Sequence, residues 1–146
     1  MKFAIVVSRF NTEVTEGLLE GAKSYLREQG VSEANTKIVW APGAFETPLI
    51  AKKLAKSQHV QGKAYDGVIC LGAVIKGDTA HFEFISLGAS MGIMQAMLET
   101  ETPIAFGILT TYNDEQAVAR SRDDAHNKGR EAAAACFETA RTLATL

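Results

Sequence analysis

GVICLGA, at residues 67–73, is a short run without a polar side chain. Comparable apolar runs occur at Phe3–Val7, Lys37–Trp40 and Ile104–Thr110. Strands with continuous apolar runs, instead of alternating apolar and polar residues, are typical of parallel sheets that are buried on both faces. The sequence therefore predicts a four-stranded parallel sheet, with Gly67–Ala73 as its third strand.

Longer amphipathic stretches separate these runs and indicate helices. The predicted helices are Val14–Gln29, Thr47–Lys56, His81–Glu99, Glu115–Arg120 and Lys128–Leu143. Strand and helix alternate throughout, which predicts an α/β fold, a three-layer α/β/α sandwich of flavodoxin-like type with right-handed crossovers. Because no repeat or low-complexity linker interrupts the pattern, we expect a single domain over residues 1–146.

Composition and charge exclude several classes of function. The net charge is −2 with both signs interspersed, so no basic block indicates binding to nucleic acid or to a membrane. Cys70 and Cys136 lack CxxC spacing and are expected to be buried, reduced thiols of a cytoplasmic protein. No histidine pair has the spacing of metal ligands, and we expect no metal.

The loops that follow the four strands carry the polar and aromatic residues. In a parallel sheet these loops converge at one edge, where such folds bind ligands. Phe10 and Phe45 lie in two of the loops, beside Asn11 and Glu46. Two exposed rings could form a platform for a flat ligand, with stacking worth ~0.5–1.5 kcal/mol. Alternatively, each ring folds back over the core.

A third loop, Gly77-Asp78-Thr79, precedes the predicted helix that begins at His81. Its backbone N–H groups could bind a phosphate at the helix N-terminus, or Asp78 or Thr79 could be an ordinary N-cap. His81 is either a general acid or base at the cleft or a surface residue. Arg120 and Lys128 flank a charged turn that by itself is typical of a solvated surface.

Taken together, five segments resemble the lumazine synthase family. They are Ile5–Asn11, Pro42–Glu46, Leu71–Glu83, Phe106–Thr111 and Asn127–Gly129, in register over nearly the whole chain. The resemblance implies that the chain joins 5-amino-6-(D-ribitylamino)uracil to 3,4-dihydroxy-2-butanone 4-phosphate. It also implies that no redox cofactor or metal is needed.

The resemblance assigns a role to each candidate residue. Phe10 stacks on the pyrimidine, while Asn11, Ala44, Phe45 and Glu46 hold the ribityl chain. The pyrimidine side is lined by Val74, Ile75 and Lys128, and the phosphate is bound by Gly77, Asp78, Thr79 and Arg120. Lys76 is also expected to bind substrate, and His81 is the proton carrier. Phe106, Arg120 and Lys128 are expected from a neighbouring subunit of a pentamer or decamer, and association with riboflavin synthase is also implied.

The chain departs from the family pattern in three places. The first strand starts at once after Met1-Lys2, so the strand that the family adds to a neighbour's sheet is expected to be missing, which disfavours a shell-like assembly. Asp124 stands where a lysine is common, so phosphate affinity is lower or Arg122 compensates. The connection Ser57–Ala64 is longer than usual and is expected to be a surface loop.

Two other functions stay open: a non-catalytic flavin or lumazine binding module, and a flavodoxin-like FMN binder.

Overall fold

The computed structural model describes residues 1–60 and 62–146, apart from the side chain of His59. In chain order its elements are β1 (Phe3–Ser8), α1 (Thr12–Glu28), β2 (Thr36–Ala41), α2 (Thr47–Ala55), β3 (Gln58–His59), β4 (Gly62–Lys63), β5 (Gly67–Ile75), α3 (His81–Thr100), β6 (Ile104–Thr111), α4 (Asp114–Arg120) and α5 (Lys128–Leu143). Short 3₁₀ turns lie at Glu33–Asn35 and Ala44–Glu46.

The central sheet has the strand order β2-β1-β5-β6, and every neighbouring pair is parallel. The predicted α/β fold with a four-stranded parallel sheet is therefore confirmed. β1 and most of β5 are buried because they lie in the middle of the sheet with helices on both faces. β2 and β6 form the two outer edges.

The helices divide the core into two parts. On one face α1 and α5 cover a cluster that includes Phe3, Leu18, Leu71 and Phe137. On the other face α2 and α3 cover a cluster that includes Val6, Cys70, Ala89 and Ile93. This arrangement is the predicted three-layer sandwich, and the described helices start and end within two residues of the predicted bounds.

The connection Ser57–Ala64, which was predicted to be a surface loop, is only partly irregular. β3 and β4 pair as a short antiparallel hairpin, and Ala64 is buried. The Lys63 ammonium donates to the carbonyl oxygen of Glu101 at 2.8 Å, where α3 ends with Glu101 in the left-handed conformation. A cation at a helix C-terminus satisfies a free carbonyl and the helix dipole, so the hairpin fastens the end of α3.

The start of α5 packs closely against α1 through Asn127 and Gly129. Asn127 is only 1% exposed, and its side-chain amide donates to the carbonyl oxygens of Gly17 at 3.0 Å and Arg122 at 2.8 Å. Its Oδ1 accepts from the N–H of Arg130 at 3.0 Å, which caps α5. Gly129 lies so close to α1 that an added Cβ would be 1.9 Å from the carbonyl oxygen of Leu18. The start of α5 is thereby fixed against α1.

Both thiols are buried and free, as expected. Burial raises the pKa of Cys70 and that of Cys136 to about 12, because a thiolate is poorly solvated in an apolar core. Of the helices in the described ranges, none has the length and apolar character required to cross a membrane.

The thiols give a prediction on reactivity and pH. We expect neither cysteine to react with a maleimide at pH 8 in the folded chain, and both to react after unfolding in guanidinium chloride, as measured by mass spectrometry. Since the folded pKa values are raised, their stabilising contribution is present below the ordinary pKa of 9.0 and is lost as the pH rises toward about 12. Rapid labelling of the folded chain would contradict this account.

Candidate active site

A cleft of about 470 Å³ lies at the carboxyl ends of the central strands. Its walls come from the segments that follow β1, β2, β5 and β6, as expected for a parallel sheet. The lining residues are Phe10, Asn11, Pro42, Gly43, Ala44, Phe45, Glu46, Ala73, Val74, Ile75, His81, Ile85 and Asp114. Eight of the predicted site residues are thus brought together: Phe10, Asn11, Ala44, Phe45, Glu46, Val74, Ile75 and His81.

Phe10 and Asn11 form the turn between β1 and α1. Phe10 is 71% exposed and does not fold back over the core. Asn11 has φ 58° and ψ 54°, a left-handed conformation that asparagine tolerates better than most residues. Its side chain does not cap α1 but donates from Nδ2 to the carbonyl oxygen of Ala73 at 3.0 Å. This leaves the amide oxygen of Asn11 as an acceptor at the cleft.

Phe45 and Glu46 are positioned by the 3₁₀ turn Ala44–Glu46. The buried hydroxyl of Thr47 donates to the carbonyl oxygen of Ala44 at 2.8 Å and holds this turn against the start of α2. Phe45 is 57% exposed and rests on α3 at Gly88, where an added Cβ would be 2.7 Å from its ring. The sequence did not predict this 3₁₀ turn. The turn explains how the large ring of Phe45 stays at the cleft instead of entering the core.

His81 is the first residue of α3 and lies in the cleft wall. Its backbone N–H donates to the hydroxyl of Thr79 at 3.4 Å, which is the capping contact anticipated for the Gly77-Asp78-Thr79 loop. The N-cap position itself is Ala80, without a side-chain hydrogen bond. The capping alternative is thereby partly realised, and the backbone of the loop keeps its capacity to bind an anion.

Four predicted residues, Lys76, Gly77, Asp78 and Thr79, are exposed beside the cleft and do not line it. The Lys76 ammonium lies 3.6 Å from a carboxylate oxygen of Glu83 and 5.8 Å from the centre of the Tyr112 ring. Lys76 is thus already held by an anion and an aromatic ring at the rim. An added Cβ at Gly77 would meet no atom within 4 Å, so the loop backbone is open to solvent.

The remaining predicted residues, Phe106, Arg120 and Lys128, lie on a different surface. They line a groove of about 400 Å³ between β6, α4 and α5. Arg120 donates from Nη1 to the carbonyl oxygen of Gln116 at 3.0 Å, and Lys128 lies 2.7 Å from a carboxylate oxygen of Glu131. Within one chain, the structure therefore does not bring these three residues together with Phe10 and His81.

Asp114 lines the cleft but was not predicted. The sequence signal was its position: it lies three residues after the end of β6, at the edge where the other three loops were expected to meet. Together with Asn11 and Glu46, Asp114 makes the cleft rich in hydrogen-bond acceptors, whereas the described part of its lining holds no lysine or arginine. Such a surface suits a ligand with hydroxyl and N–H groups.

Two further features border the site. The guanidinium of Arg9 lies 5.7 Å from the centre of the Trp40 ring, in cation–π contact at the end of β2. Apart from position 61 and the undescribed side chain of His59, no three histidine, cysteine, aspartate or glutamate residues cluster as metal ligands would. No residue set of the cleft is therefore assigned to a metal.

Comparison with known proteins connects this geometry to a family. A profile of the family described as 6,7-dimethyl-8-ribityllumazine synthase matches residues 1–144. The chain is 64% identical over 142 residues to a Caulobacter vibrioides protein named 6,7-dimethyl-8-ribityllumazine synthase 1. This alignment covers 97% of this chain and 90% of the relative. It is 53% identical over 146 residues to the 6,7-dimethyl-8-ribityllumazine synthase of Nitratidesulfovibrio vulgaris, covering 100% of this chain and 90% of the relative.

Proposed function

The chain belongs to the 6,7-dimethyl-8-ribityllumazine synthase family, and on that premise we propose how its residues perform the family reaction. It condenses 5-amino-6-(D-ribitylamino)uracil with 3,4-dihydroxy-2-butanone 4-phosphate and releases phosphate and water. The observation that carries the proposal is the cleft that joins the exposed ring of Phe10, the carboxylate of Glu46 and the imidazole of His81 at one sheet edge.

The pyrimidine substrate matches the acceptor-rich cleft. Its flat ring stacks on Phe10, and its ribityl hydroxyls donate to Glu46 and to the amide oxygen of Asn11. Phe45 and the Ala44 backbone complete the ribityl pocket, while the Val74 and Ile75 backbones border the ring. A carboxylate accepts hydrogen bonds and, when ionised, donates none, so Glu46 selects a polyol over a chain without donors.

The phosphate substrate needs cationic groups that the cleft lining does not provide. The backbone of Gly77-Asp78-Thr79 offers N–H donors beside His81, at the positive end of α3. Arg120 lies in the separate groove of its own chain, so we propose that a neighbouring subunit places its Arg120, together with Phe106 and Lys128, over the cleft. The active site is then formed between two copies of the chain.

The exposed face of α3 supports such an assembly. Phe84, Leu87, Met91, Met94 and Leu98 are each more than half exposed on this helix. A helix that is apolar on all sides is normally buried, and a large exposed apolar surface indicates a protein interface. We propose a homopentamer or a pair of pentamers in the cytoplasm, with association with riboflavin synthase as the family implies. Light scattering at several protein concentrations tests the assembly, and a monomer would contradict it.

The proposed chemistry needs few catalytic groups. The substrate amine condenses with the ketone to an imine and releases water, phosphate leaves, and the resulting enol tautomerises to a carbonyl. The second amine then closes the ring on that carbonyl with loss of a second water. Holding two reactants in line supplies ~7–11 kcal/mol of the barrier. His81 is placed to move protons in the imine and elimination steps, and one such group contributes roughly 10²–10⁴-fold.

The decisive experiment supplies the purified chain with both substrates. The fluorescent lumazine and inorganic phosphate are expected to appear in equal amounts and to require both substrates. A non-catalytic binding module would bind the lumazine without releasing phosphate, and a flavodoxin-like FMN binder would retain FMN instead. Absence of product from the assembled protein would refute the proposed function.

The proposed role of Arg120 gives a prediction on substrate affinity. Arg120→Ala should raise the KM for the phosphate substrate about tenfold or more, because a hydrogen bond to a charged group contributes ~1.5–3 kcal/mol. The KM for the pyrimidine should change little. The matched control is Arg141→Ala, which removes an equal charge from the last turn of α5, outside the groove that holds Arg120. Equal effects of the two variants in steady-state kinetics would contradict a direct contact with phosphate.

A further inference from the structure

Asp114 is a cleft residue whose carboxylate is not required for local structure. It is the first residue of α4, and its neighbour Asn113 caps this helix by accepting from the N–H of Gln116 at 2.8 Å. The Gln116 side chain in turn accepts from the N–H of Tyr112 at 2.9 Å. These two bonds are similar to a capping box, except that the return bond goes to the residue before the N-cap, and neither bond involves Asp114.

Among the described residues, the carboxylate of Asp114 forms no ion pair and no side-chain hydrogen bond. The start of α4 favours a negative charge nearby, and Glu115 in the same turn offers an equal charge. What separates Asp114 from Glu115 is that Asp114 lines the cleft.

The strand order places Asp114 at one end of the cleft. Glu46 follows β2 and Asp114 follows β6, and these are the two outer strands of the order β2-β1-β5-β6. Neighbouring strands are ~4.8 Å apart, so the ends of β2 and β6 are separated by about 14 Å across three intervals. Phe10 and His81 follow the two inner strands. The cleft is therefore elongated, with one carboxylate at each end and the ring platform between them.

An elongated substrate with donors at both ends fits this arrangement. If Glu46 holds the ribityl hydroxyls at the β2 end, the pyrimidinedione ring extends toward β6. The ring carries N–H donors at its edge, and an ionised carboxylate is the matching acceptor. We propose that Asp114 is a specificity-determining residue that accepts a hydrogen bond from a ring N–H of the pyrimidine substrate. This inference rests on the proposed function.

The test compares three variants of the assembled protein. Asp114→Ala should raise the KM for the pyrimidine about tenfold and leave the KM for the phosphate substrate within twofold of its original value. Asp114→Asn keeps an acceptor oxygen and should raise the pyrimidine KM by a smaller factor. Glu115→Gln removes the same charge from the same helix turn and should leave both KM values unchanged. Thermal unfolding and light scattering establish that all variants remain folded and assembled.

A modified substrate separates direct contact from an indirect effect. A pyrimidine methylated at the ring nitrogen that faces Asp114 should bind the original protein about tenfold more weakly than the parent compound, and Asp114→Ala should lose this discrimination. Equal behaviour of Asp114→Ala and Glu115→Gln would overturn the inference. If the original protein makes lumazine and Asp114→Ala leaves its kinetics unchanged, only this inference fails. If the original protein makes none, the proposed function fails.

Discussion

Gly129→Ala is expected to destabilise the folded chain by about 3 kcal/mol, at the upper end of the usual cost of overpacking. The new methyl group would lie 1.9 Å from the carbonyl oxygen and 2.8 Å from the Cα of Leu18, so it meets backbone, which cannot rotate away. Replacing a helical glycine by alanine normally gains up to ~1 kcal/mol. The contact outweighs this gain because α1 and α5 must separate.

Urea unfolding followed by circular dichroism measures the effect, at one protein concentration because assembly contributes to apparent stability. The matched control is Gly77→Ala, the same chemical change at a position where an added Cβ meets no atom within 4 Å. This control should unfold at nearly the urea concentration of the original chain. If Gly129→Ala unfolds together with the control, the close approach of α5 to Leu18 is wrong.

His81→Ala is expected to lower kcat by about 10²-fold without abolishing turnover, given that one acid or base group contributes roughly 10²–10⁴-fold. Activity persists because the two substrates are still held in line by the cleft and the phosphate loop, which supplies most of the acceleration. The KM values should change less than kcat, since His81 acts on protons and not on the ribityl chain or the phosphate.

The pH profile distinguishes proton transfer from a structural effect. A group that moves protons during the reaction makes turnover depend on pH, so His81→Ala should show a flatter profile of turnover against pH than the original protein. His126→Ala is the control, because His126 is exposed and does not line the cleft. Turnover that His81→Ala leaves untouched across the pH range would exclude the proton role.

The sequence predicted the fold because each central strand is an apolar run flanked by turn residues. Gly67–Ala73 was expected as a strand and lies within β5, and the helix predicted at His81–Glu99 is α3. Parallel topology then required the strand-end loops to meet at one edge. This constraint alone brought Phe10, Glu46 and His81 into one cleft without knowledge of the strand order.

Other features depended on contacts that periodicity cannot reveal. The 3₁₀ turn Ala44–Glu46 is fixed by the buried Thr47 hydroxyl, and Asn11 turns its amide to Ala73 instead of capping α1. Asp114 was overlooked because an acidic residue in a first helical turn is ordinary in any helix. The placement of Arg120 in a separate groove follows from where α4 packs beside β6, which spacing along the chain does not specify.

The stacking of Arg9 on Trp40 provides an optical reporter. The chain contains a single tryptophan, so all indole emission arises from this one position, next to the Ala41-Pro42 segment that leads into the cleft wall. Arg9 is bonded through its N–H to the carbonyl oxygen of Ala41 at 2.9 Å and directly precedes Phe10. We expect a ring that binds on Phe10 to change the environment of this indole, so that stopped-flow fluorimetry can follow binding without a label.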